Sequence, residues 1–286
     1  MQEIACLNGR FMPVCDAAVP VDDRGFLFGD SVYEVVRTYE GRIWALDRHL
    51  ARLSRSLRAI YIENVDLAAL RTNLLEAHRR SGIPNALIYV QVTRGVAPRS
   101  HVPEQTLEPT VLITVRPFHA PAPSFSAERG VRAILLPELR WARRDIKSTN
   151  LLPNILAKRE ARARGAFEAI FVTHEGAITE GSSSNVFVVR GGVMRTPPNG
   201  PDLLPGITRD LALELARREG IPAEESPLTR DELLAGDEVF LTGTGSEIAG
   251  VIAVDDQAIG GGEVGPITRR LLHAYHAAIA SPPEWV

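Results

Sequence analysis

The sequence predicts an α+β protein with two domains, of which the N-terminal one is the smaller. The length of 286 residues suits two domains at roughly 100–200 residues each. In both halves, segments with the two-residue periodicity of strands alternate with segments in which apolar residues recur at helical spacing. We therefore place an N-terminal domain at residues 1–118, a linker at residues 119–124 and a C-terminal domain at residues 125–286.

The N-terminal domain combines hairpin signals with two amphipathic helical runs. The pairs Asn8-Gly9 and Glu40-Gly41 each interrupt an alternating segment, as in β-hairpins. Apolar residues then recur at helical spacing over residues 46–60, and Asp66 caps a second run that ends at Gly82. We expect, in order, hairpins in residues 4–12 and 32–46, helices in 46–60 and 66–82, and strands in 86–93 and 110–115.

The linker prediction depends on alternating prolines in the segment His119-Ala-Pro-Ala-Pro-Ser124. Prolines at this spacing disfavour both a helix and a central strand. Beyond the linker, strand and helix patterns alternate, and Gly165 ends the first helical run. We expect strands in residues 131–136, 169–173, 185–190 and 238–242, and helices in residues 152–164 and 208–219.

Composition excludes several classes of function. The net charge of −3 gives no basic surface for nucleic acid, and no apolar run approaches the ~18 residues of a membrane span. The N-terminus lacks the basic and apolar regions of a signal peptide. The cysteines, Cys6 and Cys15, lack metal-ligand spacing and suit a reducing compartment. We expect a soluble, cytoplasmic protein that binds no metal, nucleic acid or membrane.

Two residues indicate cofactor chemistry. Lys147 follows Arg143 and Arg144, and neighbouring positive charge or burial makes a lysine amine able to form a Schiff base with an aldehyde. Glu180 precedes the turn-forming residues 181–184, and a carboxylate opposite a pyridine nitrogen keeps that ring protonated. Taken singly, each side chain also fits an exposed charged turn.

Two later turns suit a phosphate. Residues 205–208, Pro-Gly-Ile-Thr, lead into a helical run, and helix N-termini present unpaired N–H groups to anions. An ordinary capped helix fits these residues equally well. Residues 242–246, Thr-Gly-Thr-Gly-Ser, follow an apolar strand and can form an anion-binding nest, but they match neither a P-loop nor a Rossmann motif. Together with the lysine and the glutamate, these turns predict an aldehyde cofactor that carries a phosphate.

With these motifs the chain resembles the fold type IV pyridoxal-phosphate enzymes, which include D-amino acid transaminases, branched-chain aminotransferases and aminodeoxychorismate lyases. The resemblance extends from residues 28–34, Phe-Gly-Asp-Ser-Val-Tyr-Glu, to the C-terminal region. It implies a smaller N-terminal α/β domain, a larger C-terminal β-barrel-like domain with helices, and pyridoxal 5′-phosphate as cofactor. It also implies that Lys147 is the Schiff-base lysine and that Glu180 partners the pyridine nitrogen. The remaining cofactor-binding residues that it implies are Arg52, Ile207, Thr208, Thr244 and, by packing, Leu204.

The substrate prediction depends on the segment Arg99-Ser100-His101 in a loop after a strand. An arginine fork can bind both oxygens of a carboxylate, although a polar surface loop also fits this segment. The loop is similar, nearly residue for residue, to the carboxylate-binding loop of D-amino acid transaminases, in which a tyrosine matching Tyr33 assists. The resemblance implies a homodimer with a shared active site, because in that family the loop comes from the neighbouring subunit.

The implied reaction is transamination of a D-amino acid with a 2-oxo acid acceptor, in which Lys147 moves a proton as general base and acid. Three departures from the D-transaminase pattern keep alternatives open: Ser31 in place of glycine, the segment Glu247–Val251, and Thr244-Gly-Ser246. The alternatives are an L-branched-chain aminotransferase and an aminodeoxychorismate lyase. A catalytically silent two-domain binding protein, with structural lysine and anion turns, is the alternative from another class.

Overall fold

The computed structural model describes residues 2–119 and 129–281, which form two compact units. We call residues 2–119 with Ile146–Asn150 the N-terminal unit, and residues 129–145 with 151–281 the C-terminal unit. Of the linker predicted at residues 119–124, His119 is described and the rest lies outside the described residues.

The N-terminal unit is an antiparallel sheet against which helices pack. Its strand order is β2-β1-β6-β5-β3-β4, with antiparallel pairing throughout. Helix α2 packs on β3, and α3 packs on β1 and β6, so that leucines of both helices form one apolar core with the sheet. The elements are β1 (Ile4–Leu7), β2 (Arg10–Pro13), α1 (Arg24–Phe28), β3 (Ser31–Tyr39), β4 (Arg42–Ile43), α2 (Leu46–Ala59), α3 (Leu67–Ser81), β5 (Ala86–Thr93) and β6 (Thr110–Pro117).

The first hairpin turn and the cap of α3 are formed by the residues that the sequence indicates. Asn8 and Gly9 have φ of 49° and 80° in the first hairpin turn, as a primed turn requires. The Asp66 side chain accepts hydrogen bonds from the backbone N–H groups of Ala68 and Ala69 and caps α3. The second predicted hairpin, residues 32–46, is too long, because the strand pairing ends at Ile43 and α2 begins at Leu46.

The segment 146–150 belongs to the N-terminal unit, whereas the predicted boundary put it in the C-terminal domain. The N–H of Tyr33 donates to the carbonyl of Lys147 at 2.9 Å, and the N–H of Thr149 donates to the carbonyl of Ser31 at 3.2 Å. The hydroxyls of Ser31 and Thr149 lie 2.5 Å apart. This short pairing with β3 has no periodicity of its own, and so the sequence pattern does not reveal it.

The C-terminal unit contains a mixed sheet with strand order β12-β11-β10-β14-β15-β7-β8-β9-β13, and β16 pairs with β15. The pairs β15–β7, β7–β8 and β11–β12 are parallel. The elements are β7 (Val131–Pro137), α4 (Leu152–Ala163), β8 (Glu168–Val172), β9 (Ala177–Gly181), β10 (Asn185–Arg190), β11 (Val193–Thr196), α5 (Ile207–Arg218), β12 (Ala223–Glu225), β13 (Leu228–Thr229), α6 (Arg230–Leu234), β14 (Glu238–Gly243), β15 (Glu247–Val254), β16 (Gln257–Ala258) and α7 (Pro266–Ala280).

This sheet curls around an apolar core. A tight turn joins β9 to β10, and in it the N–H of Gly181 donates to the carbonyl of Ser184 at 2.7 Å. The strands from β10 through β14, β15, β7 and β8 to β9 therefore return toward their start. The curl agrees with the β-barrel-like domain that the resemblance implies. Alternate residues of these strands point inward, among them Val186, Val188, Val239, Leu241, Ala249 and Val251.

The outer face of the sheet is covered by helices. Phe187 and Phe240 are directly opposite in the β10–β14 register and stack with ring centroids 4.7 Å apart. Helices α5 and α7 pack against β14 and β15 and against one another. The α+β class is therefore confirmed. Within the described residues, no helix combines the length and the apolar character that crossing a membrane requires.

Candidate active site

Lys147 is fixed between a strand and a helix of the N-terminal unit. Its N–H donates to the hydroxyl of Ser56 on α2 at 3.2 Å, and its carbonyl accepts from Tyr33 on β3. The side chain is half-buried, and its Nζ lies 4.3 Å from the centre of the Tyr33 ring, a cation–π distance. The structure therefore brings together the predicted Schiff-base lysine and one predicted substrate residue.

The chain has one other lysine, Lys158. Its Nζ lies 3.3 Å from a carboxylate oxygen of Glu168 and 4.2 Å from the centre of the Phe167 ring. The amine of Lys158 is thus engaged in an ion pair with a buried carboxylate. Lys147 is therefore the better amine nucleophile of the two.

Arg52 belongs to a buried charged cluster beside this lysine segment. Its Nε and Nη2 donate to the two carboxylate oxygens of Glu34 at 2.7 and 2.8 Å, and His49 Nδ1 lies 2.7 Å from Glu34. Burial acts to raise the pKa of Glu34, but the charge and hydrogen bonds of Arg52 and the hydrogen bond of His49 lower it strongly. Burial lowers the pKa of His49, and the charges of Arg52 and Lys147 lower it further.

This cluster fixes the orientation of Arg52 through two parallel hydrogen bonds. Glu34 and His49 were not among the predicted site residues. The sequence carries a signal for them, since His49 and Arg52 are three residues apart and share one face of α2. Their acidic partner lies in a different element, and so the sequence alone does not identify it.

The predicted carboxylate loop lies against α1 in the N-terminal unit. Arg99 and His101 are both exposed. The Arg99 guanidinium lies 5.2 Å from the centre of the Phe28 ring, and the His101 ring lies 5.9 Å from it. One aromatic ring therefore supports both of these predicted substrate residues.

In the C-terminal unit, Glu180 is buried at the centre of a hydrogen-bond network. Its Oε1 accepts from Arg140 Nη1 at 2.6 Å, and its Oε2 accepts from the N–H of Leu204 at 3.0 Å and from Asn185 Nδ2 at 3.3 Å. Burial raises the pKa of Glu180, while the charge of Arg140 and the hydrogen bonds oppose this rise. Arg140 also pairs with Glu138. Arg140 and Asn185 were not predicted, because their roles arise from contacts between separate strands and loops.

Asn185 connects Glu180 to the turn that precedes α5. Its Nδ2 donates to the carbonyl of Leu204 at 2.9 Å, and a Cβ added at Gly206 would lie 2.0 Å from its Oδ1. Position 206 therefore requires glycine. The structure thus brings Glu180 and Leu204 together, and α5 begins three residues after Leu204 at Ile207.

The start of α5 and the β14–β15 turn hold the remaining predicted residues. Gly206 is the N-cap residue and its helix has no side-chain cap, which leaves first-turn N–H groups for another acceptor. Thr208 is buried, and Thr244 is half-buried in the turn. Thr242 stands opposite Asn185 in the strand register, so the end of β14 lies next to the residue that binds Glu180.

Residues 31–254 match the amino-transferase class IV family, and the chain belongs to this family. It is 42% identical over 275 residues to the D-alanine aminotransferase of Bacillus licheniformis, a match that covers 96% of each chain. The branched-chain amino acid aminotransferase of Escherichia coli matches with a TM-score of 0.92 and 28% identity, over 100% of this chain and 98% of that chain. The branched-chain aminotransferase of Thermoproteus uzoniensis, solved with norvaline, matches with a TM-score of 0.87 and 32% identity, over 96% of this chain and 94% of that chain.

These similarities confirm the fold type IV prediction, and they make the chain an aminotransferase. The alternative of a catalytically silent binding protein is therefore set aside. The fold does not distinguish D-amino acid transaminases from branched-chain aminotransferases. The chain is similar in sequence to a D-alanine aminotransferase and in structure to a branched-chain aminotransferase. The distinction depends on the residues that bind the substrate.

Proposed function

We propose that the protein transfers the amino group of a D-amino acid to a 2-oxo acid, as in the conversion of D-alanine and 2-oxoglutarate to pyruvate and D-glutamate. The observation that carries the proposal is the loop in which Arg99 and His101 share the Phe28 ring. An arginine fork beside a histidine suits a carboxylate. The 42% identity to a D-alanine aminotransferase supports the same class of substrate.

The cofactor is pyridoxal 5′-phosphate, and the donors of the C-terminal unit fit it. An anion can replace the missing side-chain cap of α5. The buried Thr242 Oγ1 has no hydrogen-bond partner in the part of the chain that is described, which indicates a further donor near the same turn. The residues to which we assign the phosphate and the packing against the ring are Arg52, Ile207, Thr208, Thr244 and Leu204.

Glu180 holds a proton at the pyridine nitrogen. When bound, the cofactor supplies an electron sink for the electron pair of the broken Cα–H bond, and ring protonation strengthens this sink. Glu180 performs its task as a carboxylate, although its burial favours the neutral acid. Arg140, whose Nη1 lies 2.6 Å from Glu180, opposes that effect with its positive charge.

Lys147 provides the amine that holds the aldehyde carbon of the cofactor in the absence of substrate. With the substrate amine in its place, Lys147 Nζ would take the substrate Cα proton and would deliver it at the cofactor C4′. The backbone bonds of residue 147 to Tyr33 and Ser56 fix the base of this side chain. Such fixation keeps the amine within reach of both carbon atoms during the transfer.

The substrate carboxylate is the group that selects the enantiomer. Arg99 and His101, with Tyr33, bind it at one place, and the Cα–H bond must point at Lys147 Nζ for proton transfer. With the carboxylate and the amino group both fixed, the two enantiomers place their Cα–H bonds on opposite sides. One hand of amino acid therefore reacts, and the loop sequence favours the D form.

We place these residues in a homodimer in which each loop serves the partner's site. Helix α4 supports an interface, because Leu152, Ile155 and Leu156 are 66%, 52% and 57% exposed. Neighbouring large apolar side chains on a water-facing helix indicate a surface that another protein covers. Size-exclusion chromatography with light scattering measures the mass of the protein in solution. The mass of a monomer would contradict this part of the proposal.

A substrate panel tests the reaction. Addition of D-alanine should change the absorption spectrum of the cofactor in the holoenzyme, whereas addition of L-leucine should not. A spectral change with L-leucine and none with D-alanine would indicate a branched-chain aminotransferase. This enzyme is the second candidate because its structure is similar to that of the chain. Release of pyruvate from aminodeoxychorismate would favour the lyase alternative instead.

The cofactor attachment has a matched control within the chain. Lys147→Ala should lose the covalently held chromophore and the transaminase activity, while Lys158→Ala should keep the chromophore. Borohydride reduction followed by peptide mapping should place the modified lysine at residue 147. A modified Lys158, or an unchanged spectrum in Lys147→Ala, would contradict the assigned role of Lys147.

A further inference from the structure

We propose that Arg24 is a positioning residue for substrate binding, because it fixes the backbone of the loop that carries Arg99 and His101. This inference rests on the proposed function, in which those two side chains bind the substrate carboxylate. Arg24 is the first residue of α1 and is 4% exposed. A buried arginine must place its donors on acceptors within the protein, and its acceptors here include the loop itself.

The contacts of Arg24 reach both ends of the Ser100–His101 peptide pair. Its Nη1 donates to the carbonyl of Ser100 at 2.5 Å, and its Nη2 donates to the carbonyl of His101 at 2.9 Å. Two bonds from one planar guanidinium to consecutive carbonyls define the orientation of both peptide planes. The direction in which the His101 side chain leaves the backbone is thereby restricted, because the His101 Cα lies between these two planes, and Arg99 precedes the first plane by one residue.

The same guanidinium also organises the support beneath the loop. It lies 4.9 Å from the centre of the Phe28 ring, the ring that Arg99 and His101 contact. Phe28 is therefore close both to the residue that holds the loop backbone and to the side chains that the loop presents. Because α1 carries both Arg24 and Phe28, one short helix fixes the loop at its backbone and at its side chains.

Asp30 fixes Arg24 in turn. Its carboxylate accepts from Arg24 Nε at 2.9 Å and from Arg94 Nε at 2.8 Å, and Arg94 Nη2 donates to the carbonyl of Ile60 at 2.6 Å. Burial acts to raise the pKa of Asp30, but the hydrogen bonds and charges of Arg94 and Arg24 lower it. Asp30 is thus a carboxylate at neutral pH, and the ion pair is formed under assay conditions.

The first half of the loop is held differently. The N–H of Arg24 donates to the carbonyl of Gly95, and the N–H of Ala97 donates to the carbonyl of Asp22. These backbone bonds do not depend on the Arg24 side chain. A change of this side chain therefore loosens residues 99–101 and leaves the backbone hydrogen bonds of residues 95–97 in place. A more mobile loop must be ordered whenever a substrate binds, which lowers affinity. Affinity for carboxylate substrates should fall, while the proton transfer at Lys147 should be little affected.

The experiment compares Arg24→Gln and Arg24→Lys with the parent holoenzyme in steady-state assays. For Arg24→Gln we expect KM for D-alanine and for 2-oxoglutarate to rise on the order of tenfold, with kcat within about threefold of the parent. Arg24→Lys should recover part of the loss, because an ammonium supplies a single point donor in place of the guanidinium fork. If the glutamine variant fails to fold, the lysine variant, which keeps the charge opposite Asp30, tests the same rise in KM.

Two further variants separate the possible outcomes. Arg270→Gln removes a guanidinium that donates to the side chain and carbonyl of Glu219, and both KM values should stay at the parent value. If Arg24→Gln lowers stability or cofactor content while KM of the active fraction stays unchanged, Arg24 is structural and the inference is overturned. A raised KM in Arg99→Ala with an unchanged KM in both Arg24 variants leaves the proposed function standing and rejects the inference. An unchanged KM in Arg99→Ala itself rejects the role of the loop, and with it the role of Arg24.

Discussion

Arg140 opposes the effect of burial on the pKa of Glu180. The carboxylate of Glu180 is buried, which raises its pKa, while the Arg140 guanidinium at 2.6 Å acts in the opposite direction. Arg140 is itself held by Glu138, through Nε and Nη2. The guanidinium thus keeps a fixed position beside Glu180, and its removal has a defined electrostatic consequence.

We predict that Arg140→Met raises the pKa of Glu180 further. An adjacent opposite charge typically lowers a carboxyl pKa by ~1–3 units, so the loss of Arg140 should move the acid limb of the kcat/KM profile upward by about one unit or more. The sign follows because Glu180 must be ionised to hold the ring proton, and a higher pKa leaves it neutral at a higher pH. The measurement is kcat/KM for D-alanine across the acid range. Arg132→Met, which removes an exposed pair with Asp256, should leave the limb in place, and an unmoved limb in Arg140→Met contradicts the prediction.

At the scale of elements, the turn before α5 combines close packing with the phosphate site that we propose. Gly206 allows Asn185 to approach closely enough to bind both Glu180 and the carbonyl of Leu204. The same residue begins the helix whose first-turn N–H groups we assign to the phosphate. A side chain at this position would therefore disturb residues that we assign to both ends of the cofactor.

We predict that Gly206→Ala weakens cofactor binding and lowers stability. The new Cβ would lie 2.0 Å from Asn185 Oδ1, so Asn185 must move and its bonds to Glu180 and Leu204 must lengthen. We expect a loss of roughly 1–3 kcal/mol in the free energy of unfolding and a cofactor dissociation constant raised on the order of tenfold. Denaturant unfolding of the holoenzyme and titration of the cofactor into the apoenzyme measure these. Gly261→Ala, where a Cβ meets no atom within 4 Å, is the control, and equal affinity in both variants would reject the prediction.

The elements that the sequence predicted are the long ones with a clear period and a cap. Helix α3 combines amphipathic spacing with Asp66 and Gly82 at its ends, and β5 has the predicted bounds Ala86–Thr93. Helix α1 was missed because its five residues are too short to show a period. Helix α7 carried a usable signal, with Pro266 at its first position, but it was not predicted.

The site could be predicted in part for a related physical reason. Lys147 and Glu180 were predicted from residue type and resemblance, and their roles stay predictions. Their partners come from long-range contacts: Arg140 lies 40 residues from Glu180, and Arg24 lies 76 residues from Ser100. Such pairings depend on the register of strands and loops, which periodicity within one segment does not determine.

At the scale of the whole molecule, fold and substrate preference are separate properties. The class IV family and the TM-score of 0.92 to a branched-chain enzyme describe the arrangement of the elements. The proposed preference for D-amino acids belongs to a loop of the N-terminal unit that α1 supports. In the proposed homodimer, that loop and the lysine used with it belong to different subunits, which allows a test by subunit exchange.

We predict that mixing Lys147→Ala with Arg99→Ala restores activity that neither variant has at low D-alanine. If each loop serves the partner's site, a mixed dimer has one site with both substitutions and one with neither. Random exchange gives mixed dimers in about half of the molecules, each with one complete site, and so about a quarter of the parent activity should return. Exchange is driven by mild denaturant and dilution, and activity is measured below the KM of the parent.

The opposite geometry gives a different result. If each loop serves the site of its own subunit, both sites of every mixed dimer carry one substitution, and the mixture has no more activity than the average of its components. Exchange itself is verified by placing an affinity tag on one variant and showing that the untagged variant is retained with it after mixing. Retention of the untagged variant without recovery of activity would show that subunits exchange and that the loop is not shared. A loop that serves the partner's site places Arg99 of one subunit at Lys147 of the other. This measurement therefore also determines whether substrate recognition requires the dimer.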